Sequence, residues 1–194
     1  MRKVVVFDFD GTLTTKDSYL EFVKYACGYW HLVGGLLLFS PLLLLMLCHL
    51  YPHGKAKERV FSHFFKGWRY SQFQKVGREF AHKVKAFERT STVEILEKEV
   101  KAGSTVYVVS ASMEDWIRPW SQQKQVAQVL GTKAEVDADG MLTGKFSTPN
   151  CFGQEKVSRL LEVEPDRKAY RLEAYGDSRG DREMIAFADR GIYV

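Results

Sequence analysis

Residues 3–12 read KVVVFDFDGT, an apolar, β-branched run that ends in two aspartates and a glycine. A run of this length and composition is typical of a strand buried in a parallel sheet. Ligands bind at the carboxyl ends of such strands. Asp8 and Asp10 are therefore expected to point into one cleft at a sharp turn, although a lone Asp-Gly turn also ends many strands that have no function.

Strands and helices alternate along the chain after residue 90. This alternation predicts an α/β fold with a Rossmann-like, mostly parallel sheet flanked by helices. The predicted elements are a helix around 93–100, strands at 105–109, 171–175 and 191–194, helices at 122–130 and 155–162, and a hairpin at 133–146 around Asp139-Gly140.

The segment 16–89 interrupts this alternation because its apolar residues recur only at helical spacing. It predicts an inserted helical cap, so that residues 1–15 and 90–194 form the catalytic core. Asp17 or Ser18 is the expected N-cap of the first cap helix, at about 19–29.

Three more segments with polar residues lie at or after predicted core elements. Ser110 comes directly after the strand at 105–109, Lys156 lies in a short helix, and Asp177 and Asp181 follow the strand at 171–175. Taken singly, each has an ordinary structural explanation: a helix cap, a solvated lysine or a polar loop. Their order along the chain is more informative.

Together these segments resemble the haloacid dehalogenase (HAD) superfamily of phosphatases. Its DxDGT motif matches Asp8 to Thr12, its motif serine and lysine match Ser110 and Lys156, and its GDxxxD motif matches Gly176 to Asp181. The resemblance implies a HAD-like core that hydrolyses a phosphomonoester through a phospho-aspartate. The position of the insertion is similar to that in subfamily IB, which includes phosphoserine phosphatase.

The expected chemistry gives four of these residues a direct role in phosphoryl transfer. Asp8 is the expected nucleophile, which forms an aspartyl phosphate. Asp10 is expected to protonate the leaving oxygen and later to activate water. Ser110 and Lys156 are expected to bind the substrate phosphate and stabilise charge on its oxygens.

A metal ion is expected as well, because a phosphate dianion and a carboxylate repel each other. Mg²⁺ binds carboxylates, waters and phosphate oxygens. Asp8 and Asp177 are the expected carboxylate ligands, and Asp10 is expected to add its backbone carbonyl. Asp181 is expected in the second shell, where it holds metal-bound water or the lysine. Asp17 is a possible substrate contact by the subfamily resemblance.

The apolar run at 32–50 is long enough to cross a bilayer as one helix. A single span would place Asp8 and Ser110 on opposite sides of the membrane, and Pro41 should break the helix. Two short helical arms that enter one leaflet and return satisfy both facts. Burial of the run within the cap or in a dimer contact is the alternative that stays open.

Residues 51–90 carry ten Lys/Arg and three Glu, whereas the whole chain has a net charge of +4. This local excess suits an anionic surface. The apolar run, the basic segment and the motifs together resemble phosphatidylglycerophosphatase C and its relatives. That resemblance implies a phospholipid head group as substrate, such as phosphatidylglycerophosphate, and a location at the cytoplasmic face of the inner membrane. It leaves open whether a family tail follows Val194.

Two other functions remain as alternatives: a soluble phosphatase for a small metabolite such as phosphoserine, and a membrane-surface binding protein that has lost catalysis. A nucleic-acid partner is not expected, because the basic segment has no recognisable reading motif. The three cysteines fall in no CxxC spacing, which favours a reducing cytosol over a zinc site or a disulfide framework. The apolar run from Val4 to Phe7 is too short for a signal peptide.

Overall fold

The computed structural model describes residues 1–48 and 50–194. Short 3₁₀ turns lie at Lys85–Phe87, Arg167–Ala169 and Arg179–Asp181. The strands are β1 (Arg2–Phe7), β2 (Thr105–Met113), β3 (Gln128–Thr132), β4 (Ala134–Val136), β5 (Leu142–Phe146), β6 (Tyr170–Gly176) and β7 (Arg190–Tyr193). The helices are α1 (Ser18–Cys27), α2 (Tyr29–Leu38), α3 (Ser40–Leu47), α4 (His53–Phe65), α5 (Tyr70–Val84), α6 (Thr90–Lys101), α7 (Glu114–Gln123), α8 (Gln154–Val163) and α9 (Arg182–Phe187).

Five parallel strands form the central sheet in the order β3-β2-β1-β6-β7. Alternate residues of β1 enter two apolar clusters, with Val5 and Phe7 in one and Val4 and Val6 in the other. Because side chains alternate along a strand, both faces of the central strand are buried. The Rossmann-like α/β fold expected from the sequence is confirmed.

The helices between β1 and α6 pack around a cluster of aromatic rings. Phe22 of α1 stacks on Trp116 of α7 with ring centroids 4.3 Å apart. The segments that lead into and out of this region lie side by side, since Arg89 donates its N–H to the Leu13 carbonyl at 2.8 Å. The expected N-cap is confirmed, because the Asp17 carboxylate accepts from the Leu20 N–H. The boundaries at 15/16 and 89/90 stay a prediction.

The leucine-rich run forms two helices, α2 and α3, which meet at Phe39. Pro41 lies in the first turn of α3, where a missing N–H costs little, so the predicted break is confirmed two residues before the proline. α2 lies close to α4 at Gly35, where a Cβ would come within 2.3 Å of the Phe64 ring. Among the described residues no single helix is long and apolar enough to span a membrane; α2 and α3 pass that test of length and composition only as a pair bent by 63°.

Two local predictions were wrong. Residues 122–130 do not form a helix: α7 ends at Gln123, and β3 begins at Gln128 as an edge strand beside β2. Pro119 lies inside α7, where a proline is costly, but burial of Trp116, Ile117 and Trp120 on the inner face outweighs that cost. The strand predicted to end at Val109 also continues to Met113, through a register shift between Ser110 and Met113.

Candidate active site

Three neighbouring strand ends and the start of α8 form the cavity that contains the motif residues. Its volume is about 360 Å³, and Asp8, Ser110, Lys156 and Asp177 line it. Asp8 follows β1 directly and donates its N–H to the Tyr175 carbonyl of β6 at 2.9 Å. All the sequence-predicted site positions lie in or against this cavity.

The turn after Asp8 depends on glycine. Gly11 has a φ of +83°, a conformation that residues with a Cβ rarely adopt. A Cβ at this position would also lie 2.1 Å from Oδ2 of Asp177. The glycine of the DxDGT motif therefore allows the ends of β1 and β6 to approach each other.

Lys156 joins two buried carboxylates. Its Nζ donates to Oδ1 of Asp8 and to Oδ1 of Asp181, each at 2.5 Å. The other oxygen of Asp181 accepts from the Ser178 N–H and hydroxyl, which fixes the carboxylate in place. Burial acts against the charge of Lys156, but the two carboxylates raise its pKa above the ordinary value. Asp181 thus holds Lys156 in place, which is one of the two roles expected from the sequence.

Asp8 lies in an environment that penalises its negative charge. Burial raises its pKa to about 7; Lys156 works in the opposite direction, and the neighbouring Asp181 and Asp10 raise it further. The carboxylates of Asp8, Asp177 and Asp181, called here the three-carboxylate group, each offer an oxygen, and these oxygens lie within 4.8 Å of one another. A set of hard oxygen donors of this kind fits Mg²⁺.

The Asp10 carboxylate contacts the start of α1 and the end of β2. Its Oδ1 accepts from the Ser18 N–H at the start of α1 at 2.6 Å, and its Oδ2 accepts from the Ser112 hydroxyl at 2.5 Å. Burial, with Asp17 nearby, raises its pKa, whereas the two hydrogen bonds lower it. This orientation suits an acid–base role for the side chain and leaves the backbone carbonyl of Asp10 as the group expected at a metal.

Ser110 lies at the irregular part of β2. Its Oγ accepts from the Ser112 N–H at 3.0 Å, and it is almost fully buried at the cavity wall. Because this contact uses a lone pair, the hydroxyl hydrogen can be donated to a phosphoryl oxygen. The same irregularity turns Ser112 toward Asp10, a contact that the motif pattern did not indicate.

Lys57 is one of the ten basic residues at 51–90 that were expected to suit an anionic surface, but it lines this cavity instead. Its Nζ donates to the Ala111 carbonyl at 2.9 Å, inside the cavity that contains the motif residues, and lies 5.0 Å from the centre of the Tyr19 ring. Burial lowers its pKa, against the effect of Asp17 and Asp10. The sequence contained an indication that Lys57 points inward, because Lys57 precedes Val60 and Phe64 at helical spacing on the buried face of α4.

Asp17 lines the same cavity as Lys57, and Oδ1 of Asp17 caps α1 by accepting from the Leu20 N–H at 3.0 Å. The cap explains the residue structurally, and its contact with substrate stays a prediction. Arg89 is a second position that the motifs missed. Its guanidinium donates to the Gly11 carbonyl at 2.8 and 3.1 Å, which ties the return from the cap to the DxDGT turn.

The chain belongs to the haloacid dehalogenase-like hydrolase family, whose sequence profile matches residues 5–186. The resemblance drawn from the motifs is thereby confirmed. Among its relatives is protein CicA of Caulobacter vibrioides, 34% identical over 193 residues, which cover 98% of this chain and 85% of CicA.

Solved structures with this fold include a protein of unknown function from Bordetella pertussis, at 19% identity and a TM-score of 0.79, over 96% of this chain and 86% of that one. Phosphoserine phosphatase is similar in a substrate-bound complex, at 16% identity and a TM-score of 0.69, over 97% of this chain and 83% of that one. Its phospho-aspartyl intermediate analogue matches at 16% identity and a TM-score of 0.62, over 96% and 83%. At these identities the likeness establishes the fold.

Proposed function

We propose that this chain is a Mg²⁺-dependent phosphatase that forms a phospho-aspartate on Asp8. The observation that carries the proposal is the placement of Asp8 at the end of β1, held by Lys156 at 2.5 Å and next to two further carboxylates. The family supports hydrolysis, and the structurally similar phosphoserine phosphatase, with its phospho-aspartyl intermediate analogue, supports this route.

In the proposed reaction, an oxygen of Asp8 bonds to phosphorus while the bond from phosphorus to the substrate alcohol breaks. Asp10 gives its proton to the leaving oxygen, then takes one from the water that releases phosphate and restores Asp8. The Ser110 hydroxyl and the Lys156 ammonium stabilise the phosphoryl oxygens. Asp8, Asp177 and the Asp10 carbonyl would hold Mg²⁺, which would offset the repulsion between carboxylate and phosphate and favour the ionised form of Asp8.

Phosphate release from a panel of lipid and soluble phosphomonoesters tests this function. We expect release with Mg²⁺ and loss of at least about 100-fold of the rate in EDTA, because the carboxylates then face phosphate without a cation. Restoring Mg²⁺ should restore the rate. Equal rates in EDTA and in Mg²⁺ would contradict the metal assignment, and no release from any member would favour the catalytically inactive surface protein.

The proposal of a lipid substrate rests on exposed apolar residues on the outer face of α2 and α3. Trp30, Leu37, Leu44 and Leu47, which define this outer face, are 80%, 69%, 61% and 65% exposed. Exposed apolar surface of this kind marks a membrane or protein contact. The exposed Lys55 and Arg59 follow in sequence, and they would attract anionic head groups. This supports a phospholipid phosphomonoester, such as phosphatidylglycerophosphate, at the cytoplasmic face of the inner membrane.

Flotation with anionic liposomes tests the membrane contact. We expect Leu37→Ser, Leu44→Ser and Leu47→Ser combined to reduce liposome binding at least tenfold at low salt, because three exposed leucines are lost from the bilayer contact. The matched control is Val136→Ser with Val194→Ser, two exposed aliphatic residues outside α2 and α3. Wild-type protein that stays unbound would contradict the membrane proposal and favour a dimer contact for the outer face.

A second candidate substrate is a small zwitterion such as phosphoserine. The observation in its favour is that Lys57 and Asp17, of opposite charge, both line the catalytic cavity and could bind a carboxylate and an amine. The substrate panel distinguishes the two candidates. Preferred release from phosphoserine in the absence of lipid would replace the lipid proposal.

A further inference from the structure

A second cavity lies under the inner side of the bent helix pair α2–α3. It has a volume of about 370 Å³, within the range of small-molecule sites, and its lining is mostly apolar. Leu36 comes from α2, Leu43 and Met46 from α3, Tyr19 from α1 and Val60 from α4. We call it the apolar chamber. The space is a cleft partly open to solvent, and a mostly apolar cleft of this size is typical of a ligand site.

The apolar chamber adjoins the catalytic cavity. Asp17, Lys57, Ala111 and Phe152 line both. The Phe152 ring stacks on His53 of α4 with centroids 5.0 Å apart. From the catalytic cavity into the apolar chamber, the lining therefore changes from the proposed phosphate-binding residues to one cation and one anion, and then to apolar side chains. A molecule that fits this order has a phosphate, a short polar connection and an apolar chain.

We propose that the apolar chamber binds a single apolar chain carried by the alcohol part of the substrate. The inference rests on the proposed phosphatase function and assigns the place where the apolar part of an amphipathic phosphomonoester binds. The helix pair α2–α3 then has two separate roles: its outer face bears the exposed leucines, and its inner side holds the chain while phosphate reaches Asp8. Chain binding in the chamber requires no membrane, so the two roles can be measured apart.

The test uses n-alkyl phosphates from ethyl to decyl, each below its micelle-forming concentration, with Mg²⁺ and without vesicles. We expect kcat/KM to rise with chain length, by up to about fourfold per methylene, and then to level off when the chamber is full. Release of phosphate is measured for each member. The readout is the ratio of kcat/KM for octyl phosphate to that for ethyl phosphate.

Leu36→Trp places a large ring in the apolar chamber and should bring this ratio close to one. Leu38→Trp is the matched control, on the same helix but 63% exposed, and should keep the wild-type ratio. Met46→Trp, from the other arm, fills the chamber independently if Leu36→Trp does not fold. These three variants separate filling of the chamber from a general effect of a tryptophan in α2 or α3.

Each outcome decides one point. Activity on ethyl phosphate with a flat chain-length series in the wild type would overturn the chamber inference and leave the phosphatase standing. A slope retained in both Leu36→Trp and Met46→Trp would show that the chain binds elsewhere, and this also overturns it. No release from any alkyl phosphate, with release from other members of the phosphomonoester panel, would overturn the chamber inference and leave the phosphatase standing. No release from either set would overturn the phosphatase function on which the inference rests.

Discussion

Asp8→Asn is expected to reduce turnover by at least about 10⁴-fold, because an amide neither attacks phosphorus nor offers a charged oxygen to a metal. The loss should appear in kcat on every phosphomonoester that the wild type hydrolyses. The protein should also no longer trap phosphate covalently, which mass spectrometry of the protein during turnover measures.

The same substitution should leave the fold intact and its melting temperature equal to or above that of the wild type. Burial raises the pKa of Asp8 to about 7. When a carboxyl has a higher pKa in the folded protein than in the unfolded chain, the folded protein loses stability as the pH rises between the two values. Above about pH 7 the whole penalty is present. An uncharged Asn removes that penalty, and Lys156 keeps its bond to Asp181.

Thermal unfolding at pH 8 in EDTA, together with phosphate release in Mg²⁺, measures both expectations. Asp139→Asn, at the β4–β5 turn, is the matched control and should change neither. An Asp8→Asn protein that is folded and still turns over at more than a few per cent of the wild-type rate would contradict the nucleophile assignment. An unfolded variant would contradict the argument from the raised pKa.

Local sequence determined the features that could be predicted. β1 is recognisable because four successive apolar residues are buried on both faces, and Asp8 to Thr12 follow it within one turn. The break at Phe39 follows from Pro41, whose ring excludes a continuous helix. In each case the cause lies within a few residues of the feature, so a single segment contained the information.

Features that depend on contacts distant in sequence were not predictable in this way. Helical spacing indicates that Lys57 is on the buried face of α4, but its place in the cavity depends on its bond to the Ala111 carbonyl of β2, 54 residues further along. Ser112 meets Asp10 because the register of β2 shifts after Ser110, and no local pattern indicated that shift. The strand at Gln128–Thr132 was mistaken for a helix because a short apolar run fits either element until its neighbour is known.

Lys156→Met should be the most destabilising single change at this site. It leaves Asp8 and Asp181 buried without the ammonium that now bonds to both at 2.5 Å. Removing one partner of a buried ion pair costs about 3–5 kcal/mol, and for a chain of this length each kcal/mol lowers the melting temperature by about 2–4 °C. We therefore expect a fall of roughly 10 °C at pH 8 in EDTA, and loss of phosphate release in Mg²⁺.

The pH dependence of the melting temperature of Lys156→Met distinguishes uncompensated charge from a simple loss of packing. Without Lys156 the pKa of Asp8 should rise further above 7, so that at pH 5 the carboxyl is neutral in the folded protein and the penalty is small. The deficit in melting temperature relative to wild type should therefore be much smaller at pH 5 than at pH 8. A deficit of equal size at both pH values would indicate lost packing and contradict the charge argument.

A second carboxylate change completes the test. Adding Asp181→Asn to Lys156→Met removes one of the two unpaired charges and keeps an oxygen for the Ser178 contacts. The double variant should regain part of the lost stability at pH 8 and none of the activity, because the phosphate-binding ammonium is still missing. Lys145→Met, an exposed lysine on β5, is the control and should melt like the wild type. A double variant less stable than Lys156→Met would mean that Asp181 stabilises the loop more than its charge repels Asp8.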